Sequence, residues 1–425
     1  MIQADIIIAG AGAAGLAAAV FAGEAAREVV DASALRILLL DGAKTPGAKI
    51  LASGGGRCNV THERVTPDDY SGGPRPIIRS VLRAFGERRA LEWMKSLGVP
   101  LKLEPAGKVF PVSDDARTVL EALLRRVREL GVQTVFSSRV TGIARIDEGF
   151  KVQVAGGAES FHAKRLILAA GGLALPKSGS DGVGLTLAAR LGHTIVPPTP
   201  ALSPLVLRKS SGPGGRFAEL SGVTVEVRLG LYAPEGRRIE ERAGSMVFTH
   251  FGVSGPAALD LSRHILRARL DHPNIPYQVC LGHPSLATVE EADNWLKRQI
   301  ERHPRRAVWL AVNELWPERL SRILAEGLGT ELAHLTRADR LELARRLARL
   351  PLDVAGDRGY SFAEATAGGV DLREIDARTM ASRKVEGLYL CGEILDVDGR
   401  VGGFNFQWAW SSACLAGRGA TRSLG

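Results

Sequence analysis

The run Ile6-Ile7-Ile8-Ala9-Gly10-Ala11-Gly12-Ala13-Ala14-Gly15, continued by an Ala-rich stretch from Leu16, decides how the rest of the chain is read. Three β-branched residues lead into Gly-x-Gly-x-x-Gly, a pattern that predicts a strand, a tight turn and the start of a helix. The first N–H groups of such a helix have no partner within it and face an anion. Gly10 permits the turn, Gly12 lets backbone approach a diphosphate, and Gly15 lets the helix pack on the strand. Leu35–Leu40 then reads as the next parallel strand, closed by Asp41. An acid there binds a ribose 2′-hydroxyl and repels a 2′-phosphate, which favours FAD or NAD over NADP. The alternative is an aspartate that only ends a strand. The interval from Gly15 to Asp41 exceeds the usual ~20 residues, an excess that a longer first helix or its following loop (Glu24–Ala34) would absorb.

A chain of 425 residues, 45% hydrophobic, can bury a large core and divides into two or three domains. Its four cysteines, Cys58, Cys280, Cys391 and Cys414, form no Cys-x-x-Cys pair. That argues against a disulfide framework and a zinc site, and suits a reducing cytoplasm. Ile6–Ala22 follows Asp5 without a basic leader, so it reads as a phosphate loop and not a signal peptide. No other stretch is apolar enough to cross a bilayer, and no membrane partner is expected. The net charge of +9 fits either a nucleic-acid partner or basic side chains spread over solvated helices.

Downstream, Gly47-Ala48-Lys49-Ile50-Leu51-Ala52-Ser53-Gly54-Gly55-Gly56-Arg57-Cys58-Asn59 is poor helix and poor strand, and suits backbone wrapped around a polar ligand. Cys58 reads as a small buried thiol. Ser80–Leu97 and Ser113–Leu130 have helical periodicity and stop at Gly98 and Gly131. Val132–Ser137, Val140–Ile146, Phe150–Val154 and Phe161–Leu168 alternate like strands, the last running into Ala169-Ala170-Gly171-Gly172. From Ile195, Pro197, Pro198, Pro200 and Pro204, with the period-two runs Val223–Leu231 and Ser245–Phe248, mark a β-rich insertion.

A helical piece follows, with capping boxes at Thr288/Glu291 and Thr336/Asp339 and Pro317 in a first turn. Between Lys297 and Leu350 stand 12 Lys/Arg against 7 Asp/Glu, the best candidate for a basic face toward RNA. Trp295, Trp309 and Trp316 lie at helical spacing and read as core. The chain then returns to its first domain through Gly387–Glu393, Asp396, Asp398, Gly402-Gly403 and a helical run over Asn405–Ala420. The positive end of that helix would stabilise a reduced flavin ring placed above it.

Taken in order, Gly10–Gly15, Ser53–Asn59, Lys108–Pro111, Pro176–Gly182, Phe248–Pro256, Thr366–Val370 and Gly392–Gln407 resemble the BaiN/RdsA family of FAD-dependent oxidoreductases over nearly the whole chain. The resemblance implies an α/β fold: a Rossmann-like FAD-binding domain over 1–195 and 353–425, an inserted β-barrel domain over 196–284, and a helical subdomain over 285–352. It implies FAD held by Gly10, Gly12, Ala13, Ala14, Gly15, Asp41, Lys49, Ser53, Gly54, Gly55, Arg57, Cys58 and Asn59. Further along, Val140, Ala170, Gly171, Gly172, Gly392, Glu393, Asp396, Gly403, Phe404, Asn405 and Phe406 complete that set. Ala48 departs from relatives that carry Arg beside the lysine. NAD(P)H is implied as a transient donor, yet no second Gly-x-Gly-x-x-Gly follows a strand, and Ser211–Gly215 lacks the spacing, so a pyridine nucleotide binds by another route or an electron-carrier protein supplies the electrons.

His250, in a Thr-His-Phe-Gly loop, is the candidate acid, because imidazole can donate a proton at neutral pH beside a carbon that receives hydride. Arg57, Thr366 and Lys177 are candidates to polarise a substrate carbonyl; each could equally serve the diphosphate or its loop's own backbone, and His250 could equally be a structural hydrogen-bonder. Three readings stand: a reductase of small conjugated or carbonyl compounds, a reductase of uracil to dihydrouridine in structured ribosomal RNA, and a flavin-carrying interaction module without turnover.

Overall fold

The computed structural model describes residues 2–28, 35–156, 160–208 and 213–425. Val29–Ala34 of the loop expected before Asp41, and Ser211 and Gly212 of the Ser211–Gly215 stretch, lie outside them. Two compact units emerge, Met1–Thr199 with Glu364–Gly425, and Pro200–Ala363.

In the first unit, β1 (Ile2–Ala9) leads into helix α1 (Ala13–Ala26) and then β2 (Ile37–Leu40), as the apolar runs require. With β3 (Gln133–Val135), β4 (Val140–Ile146), β5 (Gly149–Val154) and β6 (Ser160–Leu168) they form one sheet in the order β3-β2-β1-β6-β5-β4. One edge of β6 pairs along its length with β1 in parallel. Its other edge is divided: Ser160–Ala163 pairs antiparallel with β5, while Leu166–Leu168 pairs parallel with the late strand Leu388–Leu390. The sheet is thus parallel where the glycine turn leaves it. Helix α1 is Ala-rich and buried nearly all round, the pattern of a helix enclosed by protein. It lies against the C-terminal helix Phe404–Arg422, where a Cβ added at Gly417 would stand 2.6 Å from the Ala18 carbonyl oxygen.

The helix expected over Ser80–Leu97 is two helices, α2 (Arg75–Ala84) and α3 (Glu87–Ser96). The break at Phe85-Gly86 has a tertiary cause. The Phe85 carbonyl accepts from Gln407 Nε2 (3.0 Å) and Ser411 Oγ (2.7 Å) of the C-terminal helix. Helix α4 (Ala116–Glu129) begins at Asp115, whose carboxylate accepts from Arg117 N, and Gly98 and Gly131 take the left-handed backbone that follows a helix end.

In the second unit, β7 (Leu205–Leu207), β8 (Thr224–Tyr232), β9 (Arg238–Thr249), β10 (Gly252–Ser254), β11 (Gln278–Gly282), β12 (Leu350–Leu352) and β13 (Val354–Asp357) form an antiparallel sheet in the order β12-β11-β8-β9-β10-β7-β13. Its two edge strands are separated in the chain by Asp353 alone. Seven flat strands would hold those edges roughly 29 Å apart at the usual strand spacing, and one residue spans about 3.8 Å. The sheet therefore curls on itself, and the Asp353 carbonyl accepts from Arg208 N beside β7 (2.8 Å).

This closure corrects the expected boundary at 352/353. Residues 353–363 go with the insertion because β13 pairs with β7, and the near boundary moves from 196 to Pro200. Helices α5 (Pro256–Asp271), α6 (Val289–Arg302), α7 (Val308–Val312), α8 (Glu318–Ala325) and α9 (Arg337–Arg349) complete the unit. Thr288 and Thr336 cap α6 and α9 as expected, and Trp316 is buried with its indole N–H on the Glu226 carbonyl. No described helix is long and apolar enough to cross a membrane.

Candidate functional site

Gly10 takes φ +108° and donates its N–H to the Leu40 carbonyl (2.8 Å). A Cβ at Gly10 would stand 2.5 Å from the Ala169 oxygen, and one at Gly15 would stand 1.7 Å from the Gly10 oxygen. Gly12 differs: a Cβ there meets no atom within 4 Å. No side chain caps α1, so the N–H groups opened by Ala13 and Ala14 face a concavity that the protein leaves to a ligand. That arrangement fits a diphosphate. Asp41 spans the same turn, accepting from Ala11 N (2.5 Å) and Ala43 N (2.7 Å). A carboxylate has about four acceptor positions, so it clamps the turn and retains capacity for a ribose hydroxyl.

The Ser53–Asn59 loop is held close to this turn, since Gly47 N donates to the Ala11 carbonyl (3.1 Å) at the start of the short helix Ala48–Ala52. Gly54, Gly55 and Gly56 are all left-handed, and a Cβ at Gly55 would meet nothing within 4 Å. Successive turns of this kind point backbone N–H groups into a concavity that suits anions. Cys58 is also left-handed and fully buried, and burial pushes its thiol up to about 12. It is the small inert thiol expected. With its amide oriented to satisfy both ends, Asn59 donates to the Thr61 and Val109 carbonyls and accepts from Gly403 N (3.2 Å).

Through Gly403 the loop meets the late motif. Gly392 (φ +80°) leaves 2.6 Å between a hypothetical Cβ and the Ala14 Cβ, so the end of the Leu388–Leu390 strand sits on the first turn of α1. Cys391 N donates to the Leu168 carbonyl, Gly392 N to Ser412 Oγ (3.0 Å), and Trp408 Nε1 to the Gly392 carbonyl (3.2 Å). The C-terminal helix starts at left-handed Gly403, again without a side-chain cap. Asn405 exchanges two hydrogen bonds with the Gly399 backbone, and Tyr70 Oη donates to the Phe404 carbonyl. Phe406 stacks on Trp410. The Asp396 carbonyl accepts from Gly73 N. Val140 lies at a register shift of β4 against β5. Left-handed Gly171 faces Ser180, and Ala170 packs beneath Gly184. Two bare helix N-termini, from opposite ends of the sequence, thus belong to one unit.

Between them lies a side-chain cluster. Lys49 Nζ is ion-paired with Glu393 Oε2, each side chain about 20% exposed. Glu393 Oε1 accepts from Thr366 Oγ1 (2.8 Å), which itself accepts from Leu173 N (2.8 Å) and Ala174 N (3.0 Å). A hydroxyl has one proton and two acceptor positions, and all are committed. Of the two tasks expected for Thr366, these bonds match the backbone one: it anchors Glu393 and the Leu173–Ala174 backbone, and a Cβ at Gly172 would meet its oxygen at 2.4 Å.

Arg57 is held through one nitrogen only, Nη1, by Glu104 (2.8 Å) and Asp114 (3.4 Å), and lies over the Phe110 ring (4.0 Å), with its side chain 38% exposed. Lys177 lies on the single turn Pro176–Ser178. His250 belongs to the second unit, exposed in the turn between β9 and β10, with Phe251 edge-on at 5.1 Å. Phe251 in turn lies under Arg358 (4.5 Å), which also covers Phe362. Sequence reading missed His62. Its ring stacks on Phe404 at 4.7 Å and its nitrogens face the Arg64 and Ala106 carbonyls. Only the neighbouring Ser53–Asn59 motif hinted at it.

The HI0933-like protein Rossmann domain family matches residues 4–419. A 3-dehydro-bile acid delta(4,6)-reductase of Clostridium scindens is 34% identical over 97% of this chain and 98% of its own length. A ribosomal RNA dihydrouridine synthase of Escherichia coli is 33% identical over 96% of each chain. Among solved structures, a quinol-fumarate reductase shares the fold with a TM-score of 0.51 at 16% identity, covering 99% of this chain and 71% of its own. With its two-ended dinucleotide cleft and full-length relatives, the chain belongs to the HI0933-like, or BaiN/RdsA, family of FAD-dependent oxidoreductases.

Proposed function

We propose that the protein is an NAD(P)H-driven reductase that saturates a carbon–carbon double bond conjugated with a carbonyl. One observation carries this reading: the two full-length relatives are about equally similar, and their names describe the same chemical change. A 3-dehydro bile acid with 4,6 double bonds is a conjugated ketone, and dihydrouridine is uridine with two hydrogens added beside a carbonyl. FAD, when bound, supplies hydride chemistry.

The chain's own residues do the rest. The N-terminus of α1 and Gly12 hold the diphosphate, Asp41 takes a ribose hydroxyl, and the helix start at Gly403–Phe406 offers positive potential to the ring end. Glu393, fixed by Lys49 and Thr366, braces the turn between them. His250, exposed in a turn of the second unit, is the candidate proton donor. Mixing the anaerobic holoenzyme with NADH or NADPH tests the reading. The flavin colour should bleach and return on adding a conjugated enone; a colour unchanged by both donors sinks it.

A second reading, with uracil in ribosomal RNA as the substrate and the cytoplasm as its setting, is favoured by how the arginines of the helical piece are used. Lys297, Arg306, Arg322, Arg340, Arg345 and Arg346 are ion-paired, whereas exposed Arg298, Arg302, Arg305 and Arg337 have no carboxylate partner among the described residues. Ala333 N donates to the Pro304 carbonyl and Leu332 N to that of Arg306, lashing the end of α6 to the approach to α9. Uncompensated guanidinium groups of this kind bind phosphates. Reversing Arg298, Arg302 and Arg305 to Glu should weaken ribosomal RNA binding and flatten its salt dependence while enone reduction persists. Unchanged dihydrouridine in ribosomal RNA after gene deletion refutes this second reading.

A further inference from the structure

The C-terminal helix borders a second concavity near its far end, about 20 Å along the helix from Phe404 at 1.5 Å per residue. The cavity holds about 340 Å³, within the range of small-molecule sites. Arg378, Arg418 and Arg422 give its wall three guanidinium groups, Thr379, Tyr389 and Ser423 give three hydroxyls, and no carboxylate among the described residues lines it. Arg165 backs the wall, its Nε donating to Ser423 Oγ and its Nη2 to the Ser423 carbonyl, both at 2.7 Å.

This density of positive charge is weakly compensated. Arg418 and Arg422 stand one turn apart on the same helix, where like charges repel. Arg422 meets Glu28 at 3.6 Å with both side chains largely exposed, a contact worth little. Arg418 faces the Phe21 ring, 5.4 Å from its centroid. Asp376 accepts from the Arg378 backbone N–H (2.8 Å) and pairs with Arg383, so it leaves the Arg378 guanidinium without a carboxylate among the described residues. Arginines in a last helical turn also complement the helix dipole, which accounts for Arg418 and Arg422 but not for Arg378, which comes from outside the helix. The buried Cys414 thiol is pushed up to about 11 by burial, although Arg418, Arg89 and Arg422 pull it down, so the cavity is not a thiol site.

We propose that this cavity binds the phosphate group of a small phosphorylated metabolite of mononucleotide size, at a place separate from the dinucleotide cleft. Guanidinium forks match phosphate oxygens two at a time; the Tyr389 and Thr379 hydroxyls donate to the Gly419 carbonyl (3.3 Å) and Asp376 (3.5 Å), so the arginines carry the recognition. A concave wall admits a compact monoester, whereas a nucleic-acid backbone needs an open track.

Calorimetric titration of FAD-saturated holoenzyme at fixed ionic strength, with AMP and with inorganic phosphate as probes, tests this. AMP should bind saturably, tighter than about 1 mM, and Arg418→Gln should weaken it at least about tenfold with flavin absorbance retained. Arg378→Gln should do the same while leaving the helix untouched. Equal affinity for both probes would mean that the phosphate alone is recognised, and tighter AMP binding that the nucleoside is also held; either supports the site. No saturable binding of either probe up to roughly 10 mM, or binding unchanged in both variants, overturns it.

Discussion

The two ends of the cleft proposed to hold the dinucleotide are built by different means. At the diphosphate end, three glycines, one turn and one helix start make the site, and all but the Asp41 clamp comes from ten consecutive residues. At the ring end the same kind of bare helix start is held by bonds from remote segments: Asn59 to Gly403, Thr61 to Gln407, Trp408 and Ser412 to Gly392, and Thr366 and Lys49 to Glu393. One end is dictated by backbone sterics and the other by tertiary hydrogen bonding. Substitutions should therefore fail abruptly at the first and by degrees at the second.

The sharpest break is Gly15→Val. Its Cβ would fall 1.7 Å from the Gly10 oxygen, a backbone clash beyond the ~1–3 kcal/mol of ordinary overpacking. Purified protein should be colourless and lack a cooperative melt; a yellow, folded variant would refute the steric account. Glu393→Gln is milder. It strips Lys49 of its anion, and urea unfolding should show a loss of about 1–3 kcal/mol together with weaker FAD retention. Stability equal to the parent would mean that the cluster is ornamental. Gly12→Ala sharpens the contrast, because no protein atom lies within 4 Å of the added carbon. The apo form should stay within about 0.5 kcal/mol of the parent, while FAD affinity falls at least about tenfold. An apo form destabilised as much as by a clash would show that the concavity is not ligand space.

The smallest effect lies outside both ends. Glu374 accepts from His193 Nδ1 (2.8 Å) and pairs with Lys384 (2.6 Å). Burial pushes its carboxyl up, but Lys384, Thr194 and His193 outweigh that and bring it down to about 2 from an ordinary 4.5. Burial also lowers His193 below its ordinary 6.5. Both groups bind protons more readily when unfolded. The histidine's share of stability is therefore complete above pH 6.5 and declines below it, and the carboxylate's declines between 4.5 and about 2. Urea midpoints should fall as pH drops through these ranges, and Glu374→Gln should flatten the lower part. An identical profile in the variant would exclude Glu374 as its source.

The glycine turn, Asp41 and the late Gly-Glu strand were legible because each is a local pattern with a local cause. The barrel's last strand, Val354–Asp357, was not, since its only sign is pairing with Leu205–Leu207 far back in the chain. The break at Phe85 was hidden for the same reason: its carbonyl answers to Gln407 and Ser411. Thr366 could be named from the sequence but not given one task out of two, because saturation of a hydroxyl depends on who stands beside it.

The approach of Gly417 to the Ala18 backbone bears on how the protein is made. Helix α1 (Ala13–Ala26) is made well before the helix that covers it, Phe404–Arg422. The Pro200–Ala363 unit emerges in between, so it can complete its curled sheet while the older half waits with an uncovered helix face. The nascent chain therefore keeps that face open until Phe404–Arg422 has been made, and assembly of the ring end waits on that helix and not on synthesis of the nucleotide turn.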